Sequence, residues 1–414
     1  MTYSKTNKPI RVVMILASMP PMPVGGAEVQ AVRLCRYLNK IGVQTEIITW
    51  GKIWHRRRGE FKDVSFRRLS SVLDLAMDLL SLLKPPPKPG KVKIAYDSND
   101  SGTAEISRKV WLGMRARYSF FYINALVYLW FRRKKFDIIH AHMMEWPAFV
   151  AVKIGRKLKK PVVVKDSTMN GIFSMLRYPN GQQKQQQIAT YAWCVAMTKM
   201  IKENLEKAAV PTRKIIEIPN GIDITPLPSK TSTWSNRVVF VGNLTQQPAK
   251  GIDILLFAWK QVVQKHPSAW LEIIGSGDLD AYRKFTGDNH IINVIFAGKQ
   301  ENVRERILES DIFVLPSRRE GMSNALMEAM LCGMPIVATD VSGNQDLITD
   351  GVSGLLVQPA DIQGLATAII RIMDDTEKSI AMGRKAYESI KSKCDMRLVA
   401  EKYKNLYQKI QGEI

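Results

Sequence analysis

The chain has 414 residues, 46% of them hydrophobic and 24% charged, which is typical of a folded soluble protein and excludes an intrinsically disordered one. At this length we expect two domains rather than one. The formal net charge of +22 is concentrated in residues 1–220, which hold 38 basic and 15 acidic residues, so this half should attract nucleic acid, an anionic membrane or a phosphorylated substrate.

The N-terminal residues 1–18 lead into a strand-like run without a signal-peptide cleavage pattern, so no secretory leader is predicted. The cysteines lie far apart, with no Cys-x-x-Cys pair and no neighbouring histidine. This spacing predicts reduced, mostly buried thiols and neither a disulfide framework nor a zinc site. The residues concerned are Cys35, Cys194, Cys332 and Cys394. We therefore expect a cytoplasmic protein.

Strands and helices are predicted to alternate along the first half of the chain. Residues 10–18 form a short apolar run typical of a strand, residues 27–42 an amphipathic helix, and residues 44–50 another strand. Further strands, each followed by a helix-like stretch, are predicted at residues 136–142, 161–165 and 194–198. This βαβ pattern is typical of a parallel sheet covered by helices on both faces.

In the first of these units, Gly25 and Gly26 stand between the strand and the helix. Glycines let the backbone approach a ligand closely, and the N-terminus of the following helix suits an anion. Taken alone, the glycine pair is explained more simply by a tight turn. Glu28 is predicted to cap or orient this loop.

Residues 118–131 form an apolar segment with basic residues on both sides. At 14 residues it is too short to span a bilayer, which takes about 20. It is either a core helix with basic ends or a helix lying in the membrane interface, where residues 73–91 could join it. We do not expect nucleic acid as a partner, because the basic residues carry no binding motif and the aromatics are too apolar for a stacking platform.

Polar residues end two of the predicted strands in the first half. His140 and His142 fall on the same side of their strand because side chains alternate with a period of two. No third ligand is evident nearby, so a metal site is not predicted. Asp166 ends the next strand and is a candidate for acceptor binding.

A second series of strand and helix units begins after residues 216–236, a stretch rich in Pro, Ser and Thr that we interpret as a linker. Its predicted strands are residues 237–244, 269–277, 293–298, 311–317, 335–341 and 353–357. Two domains of this kind would place the carboxyl ends of their strands at a shared cleft, where ligands bind in such sheets.

The stretch SRREGMSNALMEAM, residues 317–330, passes from a loop into a helix that ends at Gly333. Ser323 is the predicted N-cap, and the amides that follow it are suited to a phosphate. Glu328 would lie in the second helical turn, within reach of ribose hydroxyls, and Glu320 would lie further along the same ligand. Alternatively, both glutamates are solvated surface groups.

The sequence from Ser317 to Val357 closely resembles the signature of the retaining glycosyltransferases of family 4, the group 1 glycosyltransferases. The resemblance continues through VGNLTQQPAKGIDILLFAW (residues 241–259) and PNGID (residues 219–223). In the first half it is looser and rests on GGAEVQAVRLCRYL and DIIHAH. It implies an α/β protein of the GT-B fold, in which two doubly wound Rossmann-like parallel-sheet domains face a central cleft.

The resemblance also implies the domain layout and the reaction. Residues 1–221 would bind the acceptor, residues 222–395 would bind the nucleotide sugar, and a last helix at 396–414 would cross back to the first domain. The implied activity is retaining transfer of a hexose-type sugar from a nucleoside-diphosphate sugar to a glycan or lipid-linked acceptor. No cofactor or metal is expected, since this fold stabilises the leaving group without a divalent ion and no promising loop carries an Asp-x-Asp motif.

For the donor, the resemblance implies that Glu328 holds the ribose, that Glu320 approaches the transferred sugar, and that Lys250 binds the phosphates. Backbone amides of a short segment between the two glutamates would bind the diphosphate or the sugar. The residues of this segment are Gly321, Met322, Ser323 and Asn324.

In the first half, the resemblance implies that the loop of Gly25 and Gly26 faces the donor phosphates and sugar. It also implies a histidine near the reactive end of the sugar, and we favour His142 over His140 because it lies further along the strand. His140 and Asp166 are then candidates for the acceptor side.

One position departs from the family pattern. The family usually has an arginine where this chain has Asn243, and the loop from there to Lys250 is about two residues longer than usual. Asparagine can donate hydrogen bonds to the donor but carries no charge. Either Lys250 and the helix amides suffice for the phosphates, or Arg318 or Arg319 compensates. A nucleotide-sugar epimerase of the same fold and a catalytically weak membrane-associated scaffold remain as alternative functions.

Overall fold

The computed structural model describes residues 8–20, 25–51, 56–69, 108–168, 171–177, 180–227, 234–245 and 249–413. Residues 73–91, which could join the apolar helix at a membrane interface, lie outside these described residues. The chain divides into two compact units. Of the described residues, 8–221 and 396–413 form the first unit, and 222–395 form the second.

In the first unit, the described strands form one eight-stranded sheet. They are β1 (Arg11–Leu16), β2 (Gln44–Trp50), β3 (Arg58–Phe61), β4 (Val64–Leu69), β5 (Ile138–Ala141), β6 (Val162–Asp166), β7 (Trp193–Ala196) and β8 (Ile215–Glu217). Their order is β3-β4-β2-β1-β5-β6-β7-β8, and all neighbours are parallel except β3 and β4. The predicted parallel sheet is confirmed; strands β3, β4 and β8 were not predicted.

Helices connect these strands. They are α1 (Gly26–Lys40), α2 (Arg108–Phe131), α3 (Trp146–Leu158), α4 (Gly171–Ser174), α5 (Gly181–Tyr191) and α6 (Lys199–Lys207), with 3₁₀ turns at Met175–Arg177 and Thr212–Lys214. Strand β1 is buried along nearly its whole length, as expected for a central parallel strand covered on both faces.

In the second unit, six described strands form a parallel sheet in the order β11-β10-β9-β12-β13-β14. They are β9 (Arg237–Val241), β10 (Trp270–Ile274), β11 (Val294–Gly298), β12 (Ile312–Leu315), β13 (Ile336–Thr339) and β14 (Leu355–Val357). The helices are α7 (Ile252–Lys265), α8 (Leu279–Asp288), α9 (Val303–Leu308), α10 (Asn324–Leu331), α11 (Ser342–Leu347), α12 (Ile362–Asp374) and α13 (Thr376–Cys394). All strands predicted for this half are present.

Each sheet reverses its strand order once. In the first unit, β1 lies between β2 and β5, and in the second unit β9 lies between β10 and β12. Ligands of open parallel sheets bind beyond the carboxyl ends of the strands at such a switch point. The loops after β1 and β5, and those after β9 and β12, are therefore the first places to look for a site.

The last helix, α14 (Met396–Gly412), belongs to the first unit. It packs against α1, and its buried residues join the core beneath that side of the sheet: Met396, Val399, Ala400, Tyr403, Leu406, Tyr407 and Ile410. The second unit begins and ends at neighbouring points, because Ile222 pairs with Asp395 in a β-bridge and its amide donates to the carbonyl of Cys394.

Helix α2 contains the predicted apolar segment and begins earlier in the chain, at Arg108. One side is buried, as shown by Phe121, Ala125 and Leu129. Another side leaves apolar side chains exposed, namely Ile123, Val127, Trp130 and Phe131. Within the described part of the chain, no helix is long and apolar enough to cross a membrane. All four cysteines are free and buried, as predicted.

Candidate functional site

Two residues predicted to contact the donor meet at the switch point of the second sheet. Lys250 follows β9, and Glu320 follows β12. The Nζ atom of Lys250 donates to Oε2 of Glu320 at 2.7 Å, and the two side chains are only 15% and 12% exposed. The hydroxyl of Ser317 donates to the same carboxylate oxygen at 3.1 Å. A cation and a carboxylate are thus held together where a ligand is expected.

The loop that carries Glu320 is fixed by its neighbours. The amide of Arg318 donates to the carbonyl of Ala249 at 2.8 Å, which joins this loop to the one that carries Lys250. Helix α11 approaches closely, since a Cβ atom on Gly343 would lie 1.4 Å from the carbonyl oxygen of Gly321. Only glycine fits at this contact. The backbone at Gly321 is therefore held in place by the fold itself.

Helix α10 begins as predicted. Ser323 is the N-cap, and its hydroxyl accepts a hydrogen bond from the amide of Leu326 at 3.3 Å. Glu328 lies in the second turn and is partly buried. The helix ends at Leu331, and Gly333 follows with a positive φ of 67°. The first-turn amides, including that of Asn324, lie at the positive end of the helix dipole.

Asn243, which replaces the usual arginine, stabilises its own turn. Its Oδ1 accepts hydrogen bonds from the amide of Thr245 at 3.0 Å and from the hydroxyl of Thr245 at 2.7 Å. Among the described residues, these bonds join Asn243 to Thr245 and not to Lys250. The side chain is exposed, so Asn243 contributes turn geometry in place of a charge.

Of the two arginines considered as compensation, Arg318 is already paired. Its guanidinium donates to both carboxylate oxygens of buried Asp253, at 2.7 and 2.5 Å. This two-bond arrangement fixes Arg318 against α7. Arg319 is exposed. The pairing of Arg318 was not evident from the sequence, although an acidic residue just after Lys250-Gly251 was a possible signal.

In the first unit, the glycine loop is organised by a carboxylate. Gly25 is the N-cap of α1, and its amide donates to Oε2 of Glu28 at 3.0 Å. The hydroxyl of Ser18 lies 3.4 Å from Oε1 of the same glutamate. The predicted capping role of Glu28 is confirmed. Gly26 is the first residue of the helix, so its amide lies at the helix N-terminus.

His140 and His142 are both buried at the carboxyl end of β5. Their ring centroids are 4.4 Å apart, and Nδ1 of His140 lies 2.7 Å from the hydroxyl of Tyr407 on α14. Burial lowers the pKa of His140 to about 3 and that of His142 well below its ordinary value. The charge of nearby Lys165 lowers both pKa values further. Both imidazoles are therefore neutral at physiological pH.

His142 has more ring nitrogens available for hydrogen bonds to a ligand than His140 has. Neither of its ring nitrogens has a hydrogen-bond partner among the described residues, and in His140 the same is true only of Nε2. Leaving a buried polar group unpaired costs about 1 to 3 kcal/mol. A ligand hydroxyl could supply the missing bond to His142.

Lys165 lies beside these histidines and was not identified from the sequence. It is buried on β6, and its Nζ donates to Oδ1 of Asn220 at 2.7 Å. Burial lowers its pKa to about 7. A lysine at the end of the apolar run PVVVK was the available signal, because lysine is rarely buried without a reason.

Asp166, the next residue, is used by the loop that follows it. Its carboxylate accepts from the amides of Thr168 at 3.2 Å and Ile172 at 3.1 Å. Burial raises its pKa to about 7, although these hydrogen bonds oppose the change. A Cβ atom on Gly171 would lie 1.9 Å from Oδ1. The side chain therefore fixes this loop, and its contact with an acceptor stays a prediction.

Comparison with known families assigns both halves of the chain. The sequence model described as Glycosyltransferase Family 4 matches residues 24–225, and that described as Glycosyl transferases group 1 matches residues 235–375. A GDP-mannose-dependent monoacylated alpha-(1-6)-phosphatidylinositol monomannoside mannosyltransferase of Corynebacterium glutamicum is 26% identical over 257 residues, 57% of this chain and 67% of the relative. An N-acetyl-alpha-D-glucosaminyl L-malate synthase of Bacillus anthracis is 24% identical over 288 residues, 67% of this chain and 75% of the relative.

Solved structures support the same fold. Anabaena HepE, in complex with UDP and glucose, aligns with a TM-score of 0.70 at 17% identity, over 96% of this chain and 99% of that one. The sucrose-phosphate synthase of Thermosynechococcus elongatus aligns with a TM-score of 0.74 at 17% identity, over 98% of this chain and 100% of that one. The chain belongs to glycosyltransferase family 4 and is a glycosyltransferase with the GT-B fold.

Proposed function

We propose that this protein is a retaining, metal-independent hexosyltransferase. It would transfer a sugar from a nucleoside-diphosphate donor to a glycan or lipid-linked acceptor during synthesis of a cell-envelope polysaccharide. The observation that carries the proposal is the pairing of Lys250 with Glu320 at the switch point of the second sheet, in the same unit as the N-terminus of α10. Cationic and amide groups in this arrangement suit a diphosphate.

The donor would occupy the second unit in an extended form. Its diphosphate would lie against the first amides of α10 and Lys250, its ribose against Glu328, and its sugar against Glu320 and the backbone at Gly321. The carboxylate of Glu320 supplies one negative charge next to Lys250. Diphosphate binding would offer Lys250 a second anionic partner and leave Glu320 oriented toward the sugar hydroxyls.

The chemistry needs no carboxylate nucleophile. In the proposed step, the bond from the anomeric carbon to the phosphate oxygen breaks, and the acceptor oxygen forms its bond on the same face of the sugar. The acceptor proton passes to the departing phosphate. Lys250 and the helix amides would stabilise the charge that develops on this leaving group. Neutral His142 would hydrogen-bond to a sugar hydroxyl, and the amides at Gly25 and Gly26 would lie along the donor.

The relatives indicate classes of substrate. The C. glutamicum relative uses GDP-mannose on a phosphatidylinositol monomannoside, the B. anthracis relative makes a glucosaminyl malate, and the HepE complex contains UDP and glucose. We infer a nucleoside-diphosphate hexose as the donor for this chain. His140 and Asp166 remain the proposed groups on the acceptor side.

We also propose that the first unit docks on the inner face of the cytoplasmic membrane through the exposed side of α2. Trp130 and Phe131 are 48% and 81% exposed, and Arg133 lies 5.1 Å from the ring of Trp130. Lys153 lies over the ring of Tyr122, 5.2 Å from its centroid. Exposed aromatics with cations beside them fit the interface of an anionic bilayer.

Nucleotide binding tests the donor site. We expect Lys250→Ala and Glu328→Gln each to weaken the binding of UDP or GDP, whichever the wild type binds, by at least about tenfold, because each removes a charge-assisted hydrogen bond. Isothermal titration calorimetry of the full chain gives the affinities. Lys265→Ala is the matched control, since Lys265 also pairs with a carboxylate but is exposed. Unchanged affinity in both site variants would refute this assignment.

A further inference from the structure

Arg68 occupies an unexpected position in the first unit, because its side chain is buried at the end of an otherwise apolar row. Val64 and Phe66 lie on the face of β4 that packs into the core, and side chains on a strand alternate between faces. Arg68 is next in that row and is 5% exposed. It pairs with Thr49 of β2, so it lies near the carboxyl ends of two parallel strands.

The guanidinium of Arg68 has no acidic partner among the described residues. Its Nη1 donates to the carbonyl oxygen of Arg56, and its central carbon lies 4.6 Å from the ring centroid of Phe66. Within the same described residues, its Nε has no hydrogen-bond partner. Burial lowers the pKa of the guanidinium, and no described carboxylate opposes this effect. Arg68 is therefore a buried cation without a counter-ion in the part of the chain that the structure describes.

Three other described arginines lie beside carboxylates, which is the usual arrangement. Arg318 pairs with Asp253, and Arg11 pairs with Asp137 at 2.8 Å. Arg67, the neighbour of Arg68 on the opposite face of β4, lies 3.8 Å from a carboxylate oxygen of Glu46. A buried charge is costly unless an opposite charge accompanies it. The isolated charge of Arg68 needs a different explanation.

The chain after β2 makes room for this side chain. A Cβ atom on Gly51 would lie 2.4 Å from Cδ and 3.0 Å from Cγ of Arg68. Any other residue at Gly51 would displace the arginine. The fold thus accommodates a buried guanidinium near the edge of the sheet where ligands of parallel strands bind.

We propose that Arg68 binds a phosphate group of the acceptor. The guanidinium presents several N–H donors in a planar fork that matches phosphate oxygens, and its unused Nε belongs to that fork. Exposed Arg56, Arg57 and Arg58 add positive charge in the preceding segment. The inference rests on the proposed function, since it assigns the acceptor a phosphate, and it adds a residue that the family pattern did not identify.

Inorganic phosphate is the probe, and the melting temperature of the full chain is the readout. The Lys250→Ala variant serves as the background, so that the donor site contributes little. We expect phosphate at about ten times its Kd to raise Tm by about 2 to 4 °C at constant ionic strength. Adding Arg68→Met should abolish this rise. It should not lower Tm without phosphate, because the substitution removes an uncompensated buried charge.

Arg67→Met is the matched control, because it removes the same charge from the neighbouring position on the opposite face of β4. We expect it to retain the phosphate response. If the response survives in Arg68→Met, or falls equally in both variants, the proposed site is wrong. A lower Tm in Arg68→Met together with an intact response would assign Arg68 to the fold alone.

A second arm distinguishes the source of the phosphate. If the phosphate belongs to a lipid headgroup, Arg68→Met should also reduce flotation with phosphatidylglycerol vesicles. If it belongs to a soluble acceptor, Arg68→Met should leave flotation unchanged. In that case glycerol 3-phosphate should raise the Tm of the protein that keeps Arg68 and not that of Arg68→Met. Neither arm requires sugar transfer. Failure of transfer with an intact phosphate response would therefore refute the proposed function and leave the phosphate site standing.

Discussion

Lys165 illustrates how a single buried charge makes stability depend on pH. Its amine donates to Asn220 and has no carboxylate partner among the described residues. The groups that lie near it, His140 and His142, are themselves basic and have lowered pKa values. Desolvation therefore acts on Lys165 without opposition and brings its pKa to about 7 from the ordinary 10.5.

We predict that the free energy of unfolding of Lys165→Met near pH 7 is about 1 to 3 kcal/mol higher than that of the wild type. This net gain already includes the loss of the hydrogen bond to Asn220. The unfolded lysine holds a proton up to about pH 10.5, whereas the folded one releases it near pH 7. Wild-type stability should therefore rise with pH across this window relative to the variant.

The measurement is Tm from about pH 6.5 to about pH 10 for both proteins. Asp166, whose pKa is raised to about 7, acts mainly below this window and is present in both, so it cancels in the difference. Lys265 is exposed, so the curve of Tm against pH for Lys265→Met should run parallel to that of the wild type. A Lys165→Met curve that also runs parallel would show that this amine is not desolvated in solution.

At the residue level, the sequence was sufficient where a short motif fixes the backbone. The N-cap Ser323, the capping role of Glu28 and the helical position of Glu328 were all predictable from local spacing. Arg68 was not, because nothing local distinguishes this buried cation from an exposed one, and for Lys165 the apolar run PVVVK was the one local signal. Their burial depends on which strands pair, and that is decided by contacts distant in sequence.

Helix α14 carries two buried tyrosines, of which only one makes a side-chain hydrogen bond among the described residues. Tyr403 and Tyr407 are both fully buried beneath the first sheet. The hydroxyl of Tyr407 lies 2.7 Å from Nδ1 of His140, whereas the hydroxyl of Tyr403 has no partner among the described residues. Comparing the two tyrosines, which lie on adjacent turns, therefore separates the effect of the hydrogen bond from that of burial.

We predict that Tyr407→Phe destabilises the protein by about 1 to 2 kcal/mol, since it leaves a buried imidazole nitrogen unpaired. Tyr403→Phe removes a hydroxyl that is already unpaired, so it should be neutral or stabilising. Urea denaturation monitored by circular dichroism measures both. Equal losses would mean that the hydrogen bond to His140 does not contribute.

At the element level, the central strands were predictable because they are continuous apolar runs. The β3–β4 hairpin was missed because four of its ten strand residues are charged and its turn, at Lys62 and Asp63, lacks the usual glycine. Both turn residues nevertheless have positive φ, 48° and 63°. That geometry matches the twist of paired strands. Helix α2 also extends beyond the apolar segment that was predicted.

For the molecule as a whole, the excess positive charge belongs to the first half of the sequence and should govern its association with membranes. We predict that the full chain floats with vesicles that contain phosphatidylglycerol and much less with neutral vesicles. Flotation should decrease as salt rises to roughly 500 mM, because screening weakens the attraction. Replacing both Trp130 and Phe131 by serine should reduce flotation several-fold.

The control for this loss is Trp270→Ser. Trp270 is 46% exposed, close to the 48% of Trp130, but it lies in the second unit. Its substitution should leave flotation unchanged. Flotation that is indifferent to lipid charge, or that falls as much with Trp270→Ser, would argue against α2 as the docking surface.

The bridge between Ile222 and Asp395 has a consequence for synthesis on the ribosome. The second unit is contiguous in sequence over its described residues, and its two ends pair with each other, so it can close as soon as it has been translated. The first unit must wait longer, because α14 supplies Tyr403, Tyr407 and Ile410 to its core. The domain that begins first is therefore completed last, with the core side of α1 uncovered until the final helix emerges.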